Sequence, residues 1–125
     1  MKRRILICGG RDFAHQELFD YTMSQCEGFF EPYFCVIEGD AKGADRMGKV
    51  WADARGIPVI KMPANWSYYD KRAGAVRNMW MLDFGLPDLV IAFPGGTGTR
   101  NMCEQACARG IDVYEVKYLQ LQDKK

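Results

Sequence analysis

The sequence is short of the features that assign a chain at a glance: it has one histidine, His15, five cysteines with no C-x-x-C pair, and no long apolar run. A single histidine leaves too few good ligands for a zinc site, although Cys103 and Cys107 stand four apart and can share a helix face. No metal and no cofactor is expected. An odd number of cysteines (Cys8, Cys26, Cys35, Cys103, Cys107), mostly inside apolar patterns, reads as reduced core thiols. The longest apolar stretches, such as Leu89 to Phe93, fall far short of a membrane span. Met1-Lys2-Arg3-Arg4 leads straight into a strand-length run with no cleavable hydrophobic stretch, so the expected location is the cytoplasm, with no membrane partner. Charge of one sign is also missing. Lysine and arginine total 17 against 16 acids, a formal charge of +1, which removes the broad basic footprint of a sequence-independent nucleic-acid binder. Nucleic acid is therefore not the expected partner, and any anion site must be local.

What is present is a globular mix, 48% hydrophobic and 26% charged, in a length of 125 residues that fits one domain over 1–125 with a polar tail, 118–125, expected to fray. Five short runs rich in β-branched residues, Arg4–Cys8, Phe34–Glu38, Pro58–Met62, Asp88–Phe93 and Ile111–Val116, alternate with helix-length segments. That alternation predicts βαβ units. Runs apolar on both faces suit a parallel sheet covered on each side by helices. The expected fold is α/β, a three-layer Rossmann-like arrangement with a five-stranded, mainly parallel sheet in the order 3-2-1-4-5. Helical spacing appears in Gly43–Arg55 (Ala44, Met47, Trp51, Ala54) and Gly98–Arg109 (Met102, Cys103, Ala106, Cys107), with Gly56 and Gly110 as stops. Glu17–Cys26 and Ala73–Phe84 are less regular helix candidates. Pro63–Arg72 has no period and mixes polar with aromatic residues, which predicts a long ordered loop. Its Trp66, Tyr68 and Tyr69 either stack on a base or pack as a lid on the sheet edge. With Trp51 and Trp80 they are many aromatics for so small a core, and a homo-oligomer is expected.

Glycine concentrates where strands hand over to helices: Gly9-Gly10-Arg11-Asp12 after the first strand, Gly39 to Asp45 after the second, and Pro94-Gly95-Gly96-Thr97-Gly98-Thr99 after the fourth. In a parallel sheet these turns emerge at one edge, and in this order the first and fourth strands flank the point where winding reverses. Glycine there lets backbone N–H groups approach an anion closely. The Pro94–Thr99 segment runs into a helix whose first amides and dipole favour phosphate, with Thr97 and Thr99 as added donors or caps. It is not a Walker A loop, because no Lys-Ser or Lys-Thr follows the glycines. Nor is it a complete dinucleotide fingerprint, since Asn101 stands where a third glycine belongs. Arg11 either reaches a phosphate or is solvated, and Asp12 is placed to cap the next helix. Asp45 either meets a ribose hydroxyl or complements the dipole of the second helix. Arg77, with Asn78, lies in an otherwise apolar stretch and needs an anionic partner, protein or ligand.

Four motifs in order, Gly9-Gly10-Arg11-Asp12-Phe13, Gly39-x-x-x-Gly43-Ala44-Asp45, Ala73-Gly74-x-x-Arg77-Asn78-x-x-Met81 and Phe93-Pro94-Gly95-Gly96-Thr97-Gly98-Thr99, make the chain resemble the YspA-like, YpsA-related branch of the SLOG superfamily. That superfamily includes the Lonely Guy phosphoribohydrolases and the Smf/DprA proteins. The resemblance, from Ile5 to about Val116, implies a Rossmann-like sheet that recognises nucleotides or nucleotide-derived signals, with the Pro-Gly-Gly-x-Gly-Thr loop on phosphate. In the Lonely Guy enzymes a glutamate three residues beyond the loop's last threonine, with an upstream arginine, helps cleave an N-glycosidic bond. Here Met102 holds the glutamate position, Arg77 resembles the arginine, and Glu104 lies about 200° around the helix from Met102. An oxocarbenium-like transition state without a placed carboxylate loses its main stabiliser. The expectation is thus a binder that senses or sequesters a nucleotide-derived small molecule, with phosphoribohydrolase activity through Arg77 as the alternative. The expected ligand contacts are Gly9, Gly10, Arg11, Asp12, Glu38, Gly39, Gly43, Ala44, Asp45, Arg77, Asn78, Pro94, Gly95, Gly96, Thr97, Gly98 and Thr99. Glu38 or Asp45 would take the ribose.

Overall fold

The computed structural model describes residues 3–30, 33–64 and 72–118. Within them the elements run β1 (Arg3–Cys8), α1 (Gln16–Phe30), β2 (Tyr33–Glu38), α2 (Ala44–Ala54), β3 (Val59–Lys61), α3 (Ala73–Asp83), β4 (Leu89–Ala92), α4 (Thr97–Ala108) and β5 (Asp112–Glu115). The strands form one five-stranded sheet in the order β3-β2-β1-β4-β5, every pairing parallel. The expected order is met, and "mainly parallel" becomes wholly parallel. β3, β4 and β5 each fall short of the predicted runs by one residue at both ends, yet the ladder bonds continue past them: Phe93 N–H donates to the Cys8 carbonyl, Val116 N–H to Ala92 and Met62 N–H to Glu38.

Side chains alternate across the sheet as pleating requires. Ile5, Ile7, Val36, Ile91 and Phe93 meet Leu18, Phe19 and Met23 of α1 and Ala44, Trp51 and Ala52 of α2 on one face. Leu6, Cys8, Cys35, Ile37, Val90 and Ala92 meet Met81 and Leu82 of α3 and Met102, Cys103 and Ala106 of α4 on the other. Each fully buried Ile or Leu contributes roughly 2 kcal/mol, so both faces of β1 and β4 act as core and hold the sheet's centre rigid. Phe93 extends this core to the strand ends, its ring 4.9 Å from Phe19 and 5.2 Å from Phe13.

Most local signals in the chain have the outcome expected of them, with instructive exceptions. Gly56 and Gly110 do end α2 and α4, each at positive φ, with the following residue's N–H returning to a helix carbonyl (Ile57 to Ala52, Ile111 to Ala106). Asp12 does not cap α1. It is exposed, and His15 takes the role, its Nδ1 accepting from the Leu18 N–H at 3.2 Å. The stripe expected on α2 is rotated: Ala54 is exposed, while Asp45 and Gly48 are buried. Four cysteines are buried thiols as expected, whereas Cys107 is exposed. Trp51, counted among surplus aromatics, belongs to the core, with the Arg55 guanidinium 4.5 Å above its ring. The aromatic loop at 65–71 and the tail from 119 onward lie outside the described residues.

Candidate functional site

At the carboxyl edge β1 and β4 are neighbours whose following helices depart to opposite faces, which opens a crevice between them. Three turns meet there through one residue. Gly10 donates its N–H to the Pro94 carbonyl at 2.9 Å, and its own carbonyl accepts from Phe13 N–H at 3.1 Å and Ala44 N–H at 3.4 Å. Only glycine fits two of the neighbouring positions. Gly43 has φ +77, and a Cβ there would lie 2.3 Å from the Gly10 carbonyl oxygen; at Gly95 it would lie 2.6 Å from the Gly10 nitrogen. The glycine turns after β1 and β4 therefore face each other in contact, as the predicted strand order required.

The crevice is a cleft of about 680 Å³. Of the residues singled out from sequence, Gly9, Gly10, Arg11, Asp45, Arg77, Asn78, Gly96, Thr97, Gly98 and Thr99 line it. Asp12, Glu38, Gly39, Gly43, Ala44, Pro94 and Gly95 do not: they lie outside its lining, and Gly43, Gly95 and Ala44 serve the turns' mutual contact instead. Cys8, Ala41, Gly74, Ala75, Met81, Arg100, Asn101, Met102 and Glu104 line it without having been singled out as ligand contacts. Several were findable. Arg100, Asn101 and Glu104 follow the Thr97–Thr99 turn by one helical step, and Cys8 is the last residue of β1 on the α3/α4 face. Met102 forms part of the cleft wall from a buried position and Glu104 sits exposed, consistent with the wide angle between them.

The turn after β2 is closed by the chain's own acids. Asp45 Oδ2 accepts from the N–H groups of Gly39 (3.2 Å) and Ala41 (3.3 Å), and Glu38 Oε1 accepts from Asp40 N–H. Asp40 adopts a left-handed conformation, φ 59, to complete this wrap. Both acids are buried, and burial pushes each carboxyl up to about 6; for Asp45 the nearby Arg77 charge and the two amides pull the other way, and for Glu38 the Asp40 amide does. Glu38 Oε2 is buried with no hydrogen-bond partner among the described residues. Burial also raises the Cys8 thiol, with the Asp45 charge adding to it, so this cleft-wall sulfur stays protonated. Arg77 finds its partners in the protein: Nη1 donates to the Gly39 carbonyl at 2.8 Å and Nε to Asn78 Oδ1 at 3.1 Å, with the Asp45 carboxylate close enough to be felt.

The turn after β4 is open. Gly96 is the N-cap of α4 and offers no side-chain cap. The first helical hydrogen bond is from Arg100 N–H to the Gly96 carbonyl at 3.0 Å, and the N–H groups of Thr97, Gly98 and Thr99 have no acceptor among the described residues. A Cβ built at Gly96 or Gly98 meets nothing within 4 Å. This front is exposed and bordered by Arg11 and Arg100. Among the described residues no cluster of histidine, cysteine and acids is arranged to hold a metal ion, and no helix is long and apolar enough to cross a membrane.

A family model described as "YspA, cpYpsA-related SLOG family" matches residues 3–69, a span that includes the turns after β1 and β2. The Gene 61 protein of Mycobacterium phage D29 is 32% identical over 119 residues, covering 89% of this chain and 94% of that protein. No solved structure matches the chain.

Proposed function

The chain belongs to the YspA, cpYpsA-related SLOG family, and we propose that its cleft binds a nucleotide-derived small molecule, sensing or sequestering it, with phosphate on the turn after β4. The observation that carries this reading is the set of N–H groups of Thr97, Gly98 and Thr99 in the cleft lining, which have no acceptor among the described residues. Convergent amides at a helix start favour an anion by dipole and by hydrogen bonding together. Arg11 and Arg100 add countercharge at the mouth. Asp45, whose Oδ2 is committed to backbone, is the cleft-lining carboxyl assigned to a ribose hydroxyl. The cleft volume falls within the range that holds small-molecule ligands. Glu38 leaves this assignment because it does not line the cleft.

A second reading, cleavage of the N-glycosidic bond of a nucleoside monophosphate, is favoured by one feature. Asp45 is a cleft carboxyl pushed up to about 6, close to Arg77, and an acid so poised can protonate a leaving base. Incubation of the protein with nucleotides, cyclic nucleotides and ADP-ribose-type molecules separates the two readings. A melting shift with the ligand recovered intact by mass spectrometry supports binding, and free base supports cleavage. Gly96→Leu should abolish the shift while circular dichroism stays native, because the space around Gly96 is empty; undiminished binding by this variant removes the phosphate assignment. Within the same proposal the protein works in the cytoplasm as a single domain and self-associates. The exposed Met79, Phe84 and Leu86 carry that expectation, and a monomeric mass by light scattering would remove it.

A further inference from the structure

We infer that Asn78 is a positioning residue that aims the Thr99 amide into the cleft and does not itself touch the ligand, an inference that rests on the anion-binding reading above. Asn78 projects from α3 and, although it lines the cleft, is only 4% exposed, with both N–H groups of its amide engaged. Oδ1 accepts from Arg77 Nε at 3.1 Å, and Nδ2 donates to the Gly98 carbonyl at 3.0 Å and to Asn101 Oδ1 at 3.0 Å. A carboxamide has two N–H donors, and both are spent. The opposite orientation of the amide is excluded, because it would set Nδ2 against the Arg77 donor and Oδ1 against the Gly98 carbonyl.

The bond to Gly98 matters through peptide geometry. The Gly98 carbonyl and the Thr99 N–H belong to one planar trans unit and point in opposite directions. Holding the carbonyl on α3 fixes the amide on the other side. Beyond the helix's own backbone nothing packs within 4 Å of where a Cβ at Gly96 or Gly98 would stand, so the bond from Asn78 is a tie between this turn and α3 that no side chain of the two glycines supplies. The same amide grips Arg77, whose Nη1 reaches the Gly39 carbonyl at 2.8 Å. Hydrogen bonds therefore run from the turn after β2, through two adjacent residues of α3, to the first turn of α4.

Asn78→Asp tests this selectively: it keeps an acceptor for Arg77 and replaces Nδ2, the source of both donations, with one carboxylate oxygen that repels the Gly98 carbonyl and Asn101 Oδ1. The measurements are ¹⁵N relaxation well below the melting temperature and titration with inorganic phosphate followed by amide shifts. The Thr99 order parameter should fall from about 0.85 to below about 0.6, with Leu6 and Ile91 unchanged, and the phosphate dissociation constant should rise at least tenfold. A role in stability alone would lower the melting temperature without moving local order or the affinity of the folded protein, and that result overturns the inference. A loss of affinity with Thr99 still ordered would mean that residue 78 acts on the anion by charge or contact and not through the turn, and overturns it as well. Wild-type protein that ignores phosphate defeats the anion reading, and the order parameter then decides the role of Asn78 by itself. If Asn78→Asp does not fold, Asn78→Ser removes the bonds to Gly98 and Asn101, together with the acceptor for Arg77, without adding charge, and is read by the same two measurements.

Discussion

The turns after β2 and β4 leave the same edge of the sheet, both rich in glycine and both entering a helix, yet they stand in opposite chemical states. In the first, Glu38 and Asp45 occupy the N–H groups of Gly39, Asp40 and Ala41. In the second, three N–H groups have no acceptor among the described residues. A glycine turn before a helix is thus not an anion site by composition. What decides is whether a carboxylate lies within reach of its amides, and Asp45, placed early in α2, fills for its own turn the place an external anion would take. Nothing equivalent stands early in α4, where Gly98, Thr99 and Arg100 occupy the corresponding turn of helix.

The largest expected effect falls on the closed side. Gly43→Ala forces a left-handed alanine whose Cβ would lie 2.3 Å from the backbone oxygen of Gly10, and neither can yield without moving a strand end. Strain and overlap together should cost about 3 kcal/mol or more, read from denaturant unfolding. A smaller loss would mean that the three turns are less tightly joined than the contact distances imply.

Asp45 supplies the next effect, and its sign is opposite. Its carboxyl lies above its ordinary value of 3.8, at about 6, because burial penalises the charge. For an acid whose folded pKa is raised, the contribution to stability is fully present below pH 4 and is lost as pH climbs toward 6. Glu38, raised to about 6 for the same reason, acts in the same direction. Asp45→Asn keeps an oxygen for Gly39 and Ala41, so it should match the wild type near pH 4. At pH 7.5 it should exceed the wild type by up to about 3 kcal/mol, because ionising a buried acid costs roughly 1.4 kcal/mol for each pH unit by which its titration is delayed. Equal stability at both pH values would mean that Asp45 is adequately compensated and the turn after β2 carries no stored cost. The smallest effect belongs to the open side. Gly96→Ala meets empty space and should change stability by less than about 0.5 kcal/mol, so any larger loss would reveal a partner for this turn.

This comparison also marks what was legible in the chain. The strand runs could be read because parallel strands buried on both faces leave unbroken β-branched stretches, their order was the one common to such sheets, and Gly56 and Gly110 mark helix ends by local conformation. The boundaries of α1 were harder. The helix continues through Gly28 to Phe30, because a single glycine costs only about 1 kcal/mol in a helix, and its cap is His15, not the Asp12 that composition favours. At the site, Gly10, Arg11, Asp45, Arg77 and Thr97 to Thr99 could be anticipated from motif and topology. That Glu38 and Asp45 would spend their oxygens on neighbouring amides could not, since it depends on the left-handed turn at Asp40. Likewise the sequence places Asn78 beside Arg77 but does not reveal that both N–H groups of its amide are spent on Gly98 and Asn101.

Gly10 bonds to Pro94, Phe13 and Ala44, and Gly9, Gly43 and Gly95 have no room for a side chain. Three distant stretches of chain are thereby machined to fit one another like the parts of a lock. An engineer wishing to transplant the open turn after β4 into another Rossmann-like scaffold would have to carry all three segments together, and an insertion that lengthened any one of them would unseat the other two.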